Sequence, residues 1–580
     1  MEFTTKKRIL FGAVCSTLIV TLSACSGGAS DVIQQRQVTQ APKSASDVGI
    51  LLDGAKADEV ATMLKAHPAA TVRVLNAKHG LYEIYGMTQT QVSAEFAGVS
   101  EPNQFFTYKP QQRASLLSQP VRPGMQIPNL QPCALNRGAG GPVAVLSADQ
   151  PAPNLNGSTV NLGTTISVNA KASQPGANSS GSALTTVMIV DQPESVSPPQ
   201  IVQAGNTYQF TPTTMGAYKI TAVVQDGSNM CAADEIAFVV TANRPYNGPN
   251  AQNLQVDLSK FAHLNMVSAQ QAWQVSQGDG IIIAIVDTGA NYNHPLLAPN
   301  ILVNAGEIPD NNIDDDGNGF VDDYVGYDFA NQDPYPYDDD SHGTHVSGLA
   351  AAKQFGLAPK AKILPVKALT PMGGDIGTIA AAIRYAVDRG ANIINLSIGN
   401  PAPQSPAVMV SAARYAQSKG VLLIAAAGNG DPNTGVGYDI DTNPFYPASL
   451  SLQFDNVLAV AAFDAKDDLT SYSNFGHNTV GVAAPGGMIP DDPMISTAFE
   501  NPQNQLFIEM CGTSMASPVV SGIAADVWSN ARQLTYNDLK NILIGAGTDV
   551  PSLAAKTISG KHLNALSAVQ ATASLTNSAN

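Results

Sequence analysis

The rhythm of apolar positions changes three times along the chain. Between residues 47 and 108, short alternating runs and short helical faces take turns. Gly49-Ile50-Leu51-Leu52 reads as a strand. Residues 57–66 read as an amphipathic helix with Val60, Met63 and Leu64 on one face. Residues 71–75 and 81–85 alternate as strands, and residues 88–96 form a second helix. This order predicts a small β-α-β-β-α unit of the ferredoxin-like type. Residues 131–243 are rich in Ser, Thr, Val, Gly and Pro and carry short alternating runs at 159–162, 185–190, 208–210, 216–224 and 235–240. Short strands at such spacing predict a β-sandwich. After Pro245 continuous apolar runs appear at 281–287, 363–368, 391–398, 421–426 and 457–462, with helical runs such as 376–389 and 407–419 between them. That alternation predicts an α/β unit: a parallel sheet with helices on both faces. Residues 26–46 and 109–130 lack a period and read as linkers.

A chain of 580 residues is too long for one core, in keeping with several units. A net charge of −16 argues against nucleic acid as a partner. Much of the acid lies between Glu307 and Asp340. Lys6, Lys7 and Arg8 precede an apolar run at 9–20, the form of an export signal. Leu22-Ser23-Ala24-Cys25 then resembles a bacterial lipobox. The resemblance implies a signal peptide at 1–25, lipid on Cys25 and a membrane-anchored or cell-surface protein, at the outer membrane if the cell is Gram-negative. A plain signal peptide with an incidental cysteine is the other reading. Of the five cysteines, Cys133 and Cys231 flank the sandwich and are expected to pair. In the chain-entropy model, closing so long a loop stabilises by about 4–5 kcal/mol. Cys511 is left over and is expected to be a buried, inert thiol.

Three stretches carry chemistry. In Met510-Cys511-Gly512-Thr513-Ser514-Met515-Ala516-Ser517-Pro518, Ser514 falls at the start of an apolar helix, where backbone N–H groups and the helix dipole favour an oxyanion. A plain N-cap is the other role for such a serine. In Val286-Asp287-Thr288-Gly289, Asp287 ends a buried strand, where open α/β sheets place their sites. In Ser341-His342-Gly343-Thr344-His345-Val346, two histidines stand three residues apart, a spacing that also suits metal ligation. Together, in the order Asp, His, Ser, these stretches resemble the subtilisin-like serine peptidases (subtilases) over residues 255–575.

The resemblance implies a catalytic triad of Asp287, His342 and Ser514, with His345 structural. It implies an oxyanion hole from Asn429, in Ala427-Gly428-Asn429-Gly430, and the Ser514 backbone N–H. Ser397, Ile398, Gly399, Ala427 and Gly428 would form small, uncharged cleft walls suited to an apolar residue before the cleaved bond. Residues 47–108 are similar to the family's propeptides, which plug the site and would make this chain a zymogen. Phe105-Phe106-Thr107-Tyr108 would then be a tail lying in the cleft; a buried strand is the alternative. The sandwich at 131–243 resembles bacterial Ig-like or PKD-like modules, with a spacer role. The expected partners are protein or peptide substrates, the chain's own propeptide and, before maturation, the membrane through Cys25. A surface lipoprotein with an inactive peptidase-like part is the competing function, and the intact triad with Asn429 argues against it.

The acidic stretch Ile313-Asp314-Asp315-Asp316-Gly317-Asn318-Gly319-Phe320-Val321-Asp322-Asp323 carries oxygen ligands at alternate positions before a glycine. That pattern suits a structural Ca²⁺ on Asp314, Asp316, Asn318 and Asp322. Val325 stands where an EF-hand loop has its bidentate glutamate, so the loop is not of that type. A solvated acidic loop is the alternative.

Overall fold

The computed structural model describes residues 29–37, 49–106, 142–150, 158–174, 184–192, 201–204, 207–226, 231–249, 254–431, 434–499 and 505–577. Cys25, Cys133, Thr107 and Tyr108 lie outside these residues.

The N-terminal unit is a four-stranded antiparallel sheet in the order Thr71–Asn76, Leu81–Tyr85, Ile50–Asp53, Val99–Pro102. The helices Ala57–Ala66 and Gln89–Glu95 lie among these strands in sequence. Val60, Met63 and Leu64 are buried with Leu52, Val72 and Ile84, as the helical face predicts. The fourth strand escaped the sequence pattern, because Val-Ser-Glu-Pro has one apolar side chain and is half exposed. A second correction concerns the stretch read as a tether at 26–46. Ala29–Arg36 is helical and packs on Ala57–Ala66, with Ile33 only 7 % exposed. Ile33 alone is buried among the described side chains of this helix, too little periodicity to see in a sequence.

The sandwich pairs two four-stranded sheets. Its core stacks Tyr218 on Phe238, with ring centroids 5.6 Å apart. The last strand, Cys231–Thr241, runs into a strap fixed to the third unit. Tyr292 donates its hydroxyl to the Arg244 carbonyl, Tyr246 to Ala298 O at 2.6 Å, and Asn293 Nδ2 to Pro245 O at 2.9 Å. Met215 leaves the sandwich for the core of the third unit, and Leu162, Ala242 and Tyr246 pack against that core.

The third unit is built on a nine-stranded sheet. Its order is Tyr327–Asp328, Lys362–Lys367, Ile282–Asp287, Ile393–Leu396, Leu422–Ala426, Val457–Phe463, Val480–Pro485, Lys561–His562, Thr548–Asp549. All neighbours are parallel except the final pair. His342–Ala351 and Thr513–Asn530 join the core on one face; Ile376–Asp388 and Ala407–Ser418 join the core on the other. From Ile282–Asp287 the chain goes to the edge at Tyr327–Asp328, returns to fill the gap with Lys362–Lys367, and then crosses to build on the other side. That strand is therefore the topological switch point, and its carboxyl end is where such sheets open a crevice.

The N-terminal unit lays its sheet on Ile376–Asp388 and Ala407–Ser418. Leu51, Leu75 and Leu81 enter their apolar cluster. A Cβ on Gly377 would lie 2.5 Å from Leu51 and 2.9 Å from Leu75, so this helix must be bare there. Asp53 pairs with Arg384, Arg73 with Asp375, and His79 with Asp388, each at 2.8 Å. Glu101 accepts the Ala407 and Val408 N–H groups at the start of Ala407–Ser418. A carboxylate at that helix end is favoured by the free N–H groups and the dipole.

Candidate active site

Asp287 is fully buried at the end of its strand. Its Oδ1 meets His342 Nδ1 at 2.7 Å and accepts the Thr288 N–H at 2.7 Å. His342 is the first residue of its helix. A Cβ on Gly343 would stand 2.0 Å from the Gly289 carbonyl, so only glycine lets the helix start come this close to the strand end. Burial opposes charge on His342. The Asp287 carboxylate, with Asp340 and Asp338 behind it, outweighs burial and raises its pKa. His345 is buried, meets Met494 O at 2.9 Å, and is pushed down to about 3 by desolvation. The two histidines thus take separate partners.

Three residues missed in the sequence hold this pair. Asp338 Oδ1 accepts from Thr288 Oγ1 at 2.9 Å and from the Asp340 and Ser341 N–H groups at 2.9 and 3.1 Å. Its Oδ2 accepts from Thr344 N at 2.8 Å and Thr344 Oγ1 at 2.5 Å. Thr288 Oγ1 in turn accepts the Gly343 N–H at 2.9 Å. Lys367 Nζ, fully buried, donates to Thr288 O at 2.8 Å and to Asp339 at 2.6 Å. One carboxylate and one ammonium therefore tie the residue after Asp287 to the turn before His342. The acid run Asp338–Asp340, just before His342 in sequence, was the available signal.

Ser514 is the second residue of Thr513–Asn530, among the helix's free N–H groups. Its Oγ donates to Ser397 O at 3.0 Å, and Ser397 Oγ returns a bond to Ser514 O at 2.8 Å. Asn429 Oδ1 accepts both Thr513 N–H and Thr513 Oγ1 at 2.8 Å. This fixes the amide so that its oxygen is held by the serine helix.

The Subtilase family profile matches residues 278–561. Thermitase from Thermoactinomyces vulgaris is 36% identical over 273 residues, 46% of this chain and 81% of that protein. The chain belongs to the subtilase family. A thermophilic serine proteinase from a Bacillus species (strain AK1) is 39% identical over 269 residues, but this subtilase spans only 55% of its length. Among solved structures, a protease from Pseudoalteromonas arctica PAMC 21717 is 26% identical with a TM-score of 0.43, over 56% of this chain and 99% of that one. A cold-adapted subtilisin-like serine proteinase is 24% identical with a TM-score of 0.40, over 50% and 90%.

In this subtilase Ser397 and Ile398 are buried beside the serine helix, and Gly399 and Gly428 share one neighbour. A Cβ on Gly399 would lie 2.2 Å from the Phe445 ring, and one on Gly428 2.9 Å from it. Gly428 also has φ 100, a conformation that favours glycine. Ala427 is buried and donates its N–H to Val460 O at 2.9 Å. Phe445, from the two-residue strand Phe445–Tyr446, supplies an aromatic backing that the sequence did not announce.

The acidic loop departs in part from its expected ligand set. Asp314 and Asp316 come together with Glu307, each offering an oxygen within 4.8 Å of the others. Asp322 instead accepts the Asn311 and Asn312 N–H groups at 3.0 and 2.8 Å. Asn318 Oδ1 accepts the Phe320 N–H at 2.8 Å. Asn318 thus closes a local turn, whereas Asp322 ties the loop back to residues ten and eleven positions earlier. Cys231 is disulfide-bonded, while the expected partner Cys133 lies outside the described residues. Cys511 is free and half-buried rather than buried, and burial pushes its thiol up. Among the described residues no helix is long and apolar enough to cross a membrane.

Proposed function

We propose that this subtilase is a serine endopeptidase acting through Asp287, His342 and Ser514. The observation that carries the reading is the buried Asp287–His342 hydrogen bond at the switch point, in a fold whose serine helix is tied to Asn429. The Ser514 hydroxyl swings from Ser397 O to His342 Nε2 and gives up its proton as Oγ bonds to the peptide carbonyl carbon. Asp287 keeps Nδ1 protonated and stabilises the imidazolium. The Asn429 side-chain amide and the Ser514 N–H receive the oxyanion. His342 then protonates the leaving amine as the C–N bond breaks, and water releases the acyl group by the same steps in reverse. Phe445 behind Gly399 and Gly428 favours an apolar side chain before the cleaved bond.

The N-terminal unit serves as an intramolecular inhibitor and the chain is made as a zymogen. Phe105–Phe106 pairs antiparallel with Gly374–Asp375 of the peptidase unit, as a tail laid along a substrate groove would. Self-cleavage near Tyr108 fits better than cleavage at 244–254, because the Arg244–Asn247 strap is held by Tyr292, Tyr246 and Asn293. The sandwich would then stay with the enzyme as a spacer. Export by the N-terminal signal and lipid on Cys25 would anchor the precursor, and the cut would leave the lipid with the inhibitor.

A structural Ca²⁺ fits Glu307, Asp314 and Asp316, three hard oxygen donors from one loop. It would neutralise their mutual repulsion and stiffen the loop. The enzymatic reading is tested on casein: the purified chain hydrolyses it and a Ser514→Ala copy does not. Equal hydrolysis by both would exclude Ser514 as the nucleophile.

A further inference from the structure

The tail strand reveals a specific contact upstream of the cleaved bond. Phe105 pairs with Asp375 and Phe106 with Gly374, and Ile376 donates its N–H to the Gln104 carbonyl at 3.0 Å. Asn103, one residue earlier, lies over the start of Ile376–Asp388. Its Oδ1 accepts the Gly377 N–H at 3.2 Å and its Nδ2 donates to Asp375 Oδ1 at 2.9 Å. From Thr71–Asn76, the opposite edge strand of the N-terminal sheet, Arg73 places its guanidinium 2.8 Å from Asp375 Oδ2. Thr378 supplies the other two bonds, from N and Oγ1, both at 2.8 Å. The Asp375 side chain is 16% exposed under this cover.

Removal of the N-terminal unit strips Asp375 of Arg73 and Asn103 together and takes the neighbouring Glu83 away. What remains is a carboxylate held by Thr378 alone, on a strand that already pairs with an extended chain. The one cation within this helix, Arg384, stands nine residues on, ~13 Å along the axis. The open subsite therefore holds a negative charge with two vacant acceptor directions, and it has already accommodated a guanidinium.

We propose that Asp375 is a specificity-determining residue of the mature enzyme. It selects substrates with an arginine or lysine at the place Asn103 takes in the tail, three residues before the one that pairs with Gly374. The substrate class is thus extended protein segments with a basic residue upstream of the cleaved bond. The inference rests on the peptidase reading and on the tail tracing the substrate path. A charge-assisted hydrogen bond in place of a methyl group is worth about tenfold in affinity.

The test uses the self-processed enzyme and synthetic peptides of residues 99–114 carrying Asn103→Arg, Asn103→Ala or Asn103→Glu. Each is scored by its Ki against casein hydrolysis, whether or not it is itself cut. The Arg peptide is expected to compete about tenfold better than the Ala peptide, and the Glu peptide worse than both. In Asp375→Ser, which keeps a side-chain oxygen for the helix start, the Arg-to-Ala ratio should fall to within about twofold. Arg and Glu peptides of equal potency on the wild type would overturn the proposal without any variant. So would a preference that survives Asp375→Ser. Failure of the wild type to hydrolyse casein would instead bring down the peptidase reading, and this inference with it.

Discussion

Asp338→Asn is the sharpest probe of how the Asp287–His342 pair is held. The substitution keeps the shape and leaves Oδ1 with its three donors, Thr288 Oγ1 and the Asp340 and Ser341 N–H groups. It turns Oδ2 into an amide that faces the Thr344 N–H and Oγ1. The Thr344 hydroxyl already accepts the Asn291 N–H at 2.9 Å and can rotate to accept from the new amide too. The Thr344 N–H cannot adapt. A buried donor without an acceptor costs about 1–3 kcal/mol, and the loss of a charged acceptor puts this case toward the upper end. Thr344 lies two residues after His342, so relaxation of that turn displaces the imidazole. Displacement of a catalytic group by about 1 Å can cost on the order of 10²-fold in rate. Asp338→Asn should therefore lose about 2–3 kcal/mol in denaturant unfolding. It should lose on the order of 10–100-fold in kcat, with KM nearly unchanged. Wild-type kcat together with wild-type stability would refute the role assigned to Asp338.

Acid should unfold the protein through three buried histidines. Burial pushes His263 and His345 down to about 3 and His294 to about 4, below their unfolded value of about 6.5. Their contribution is therefore complete above about pH 6.5 and is lost as the unfolded chain takes up protons on the way to pH 4; a Tm flat across that range would contradict it. Asp526, 1% exposed in the serine helix with both carboxylate oxygens unpartnered, is held well above the usual range by burial and Asp279. Its folded pKa exceeds the unfolded one, so it destabilises increasingly as pH rises above about 4. Asp526→Leu should gain about 1–3 kcal/mol at pH 7 and less at pH 4, by denaturant titration. Chelation by EGTA should lower the Tm of the wild type but not of Glu307→Gln; equal shifts would remove Glu307 from the site.

The proximity of Asp287 and His342 was legible because each sits in a local motif whose glycines permit close approach, as Gly343 does beside Gly289. The parallel strands were legible as continuous apolar runs, and Asp287 fell at the end of one of them. What stayed hidden came from contacts across long separations. Lys367 reaches Thr288 over 79 residues and Thr513 reaches Asn429 over 84. No window of sequence contains both ends. Phe445 was invisible because its strand has two residues and no period. Glu307 lies just outside the acidic repeat, and only the fold of the loop returns it to Asp314 and Asp316. The helix Ala29–Arg36 and the strand Val99–Pro102 depend on packing against a neighbour more than on their own pattern.

The central claim is that Ser514, driven by His342 and Asp287, cuts peptide bonds, its own chain first. The most direct measurement is the intact mass of the purified protein, incubated with Ca²⁺ beside a Ser514→Ala copy. The account predicts that only the wild type shortens, with a new N-terminus close to Tyr108 and the sandwich retained. Two full-length proteins that both leave casein intact would contradict it.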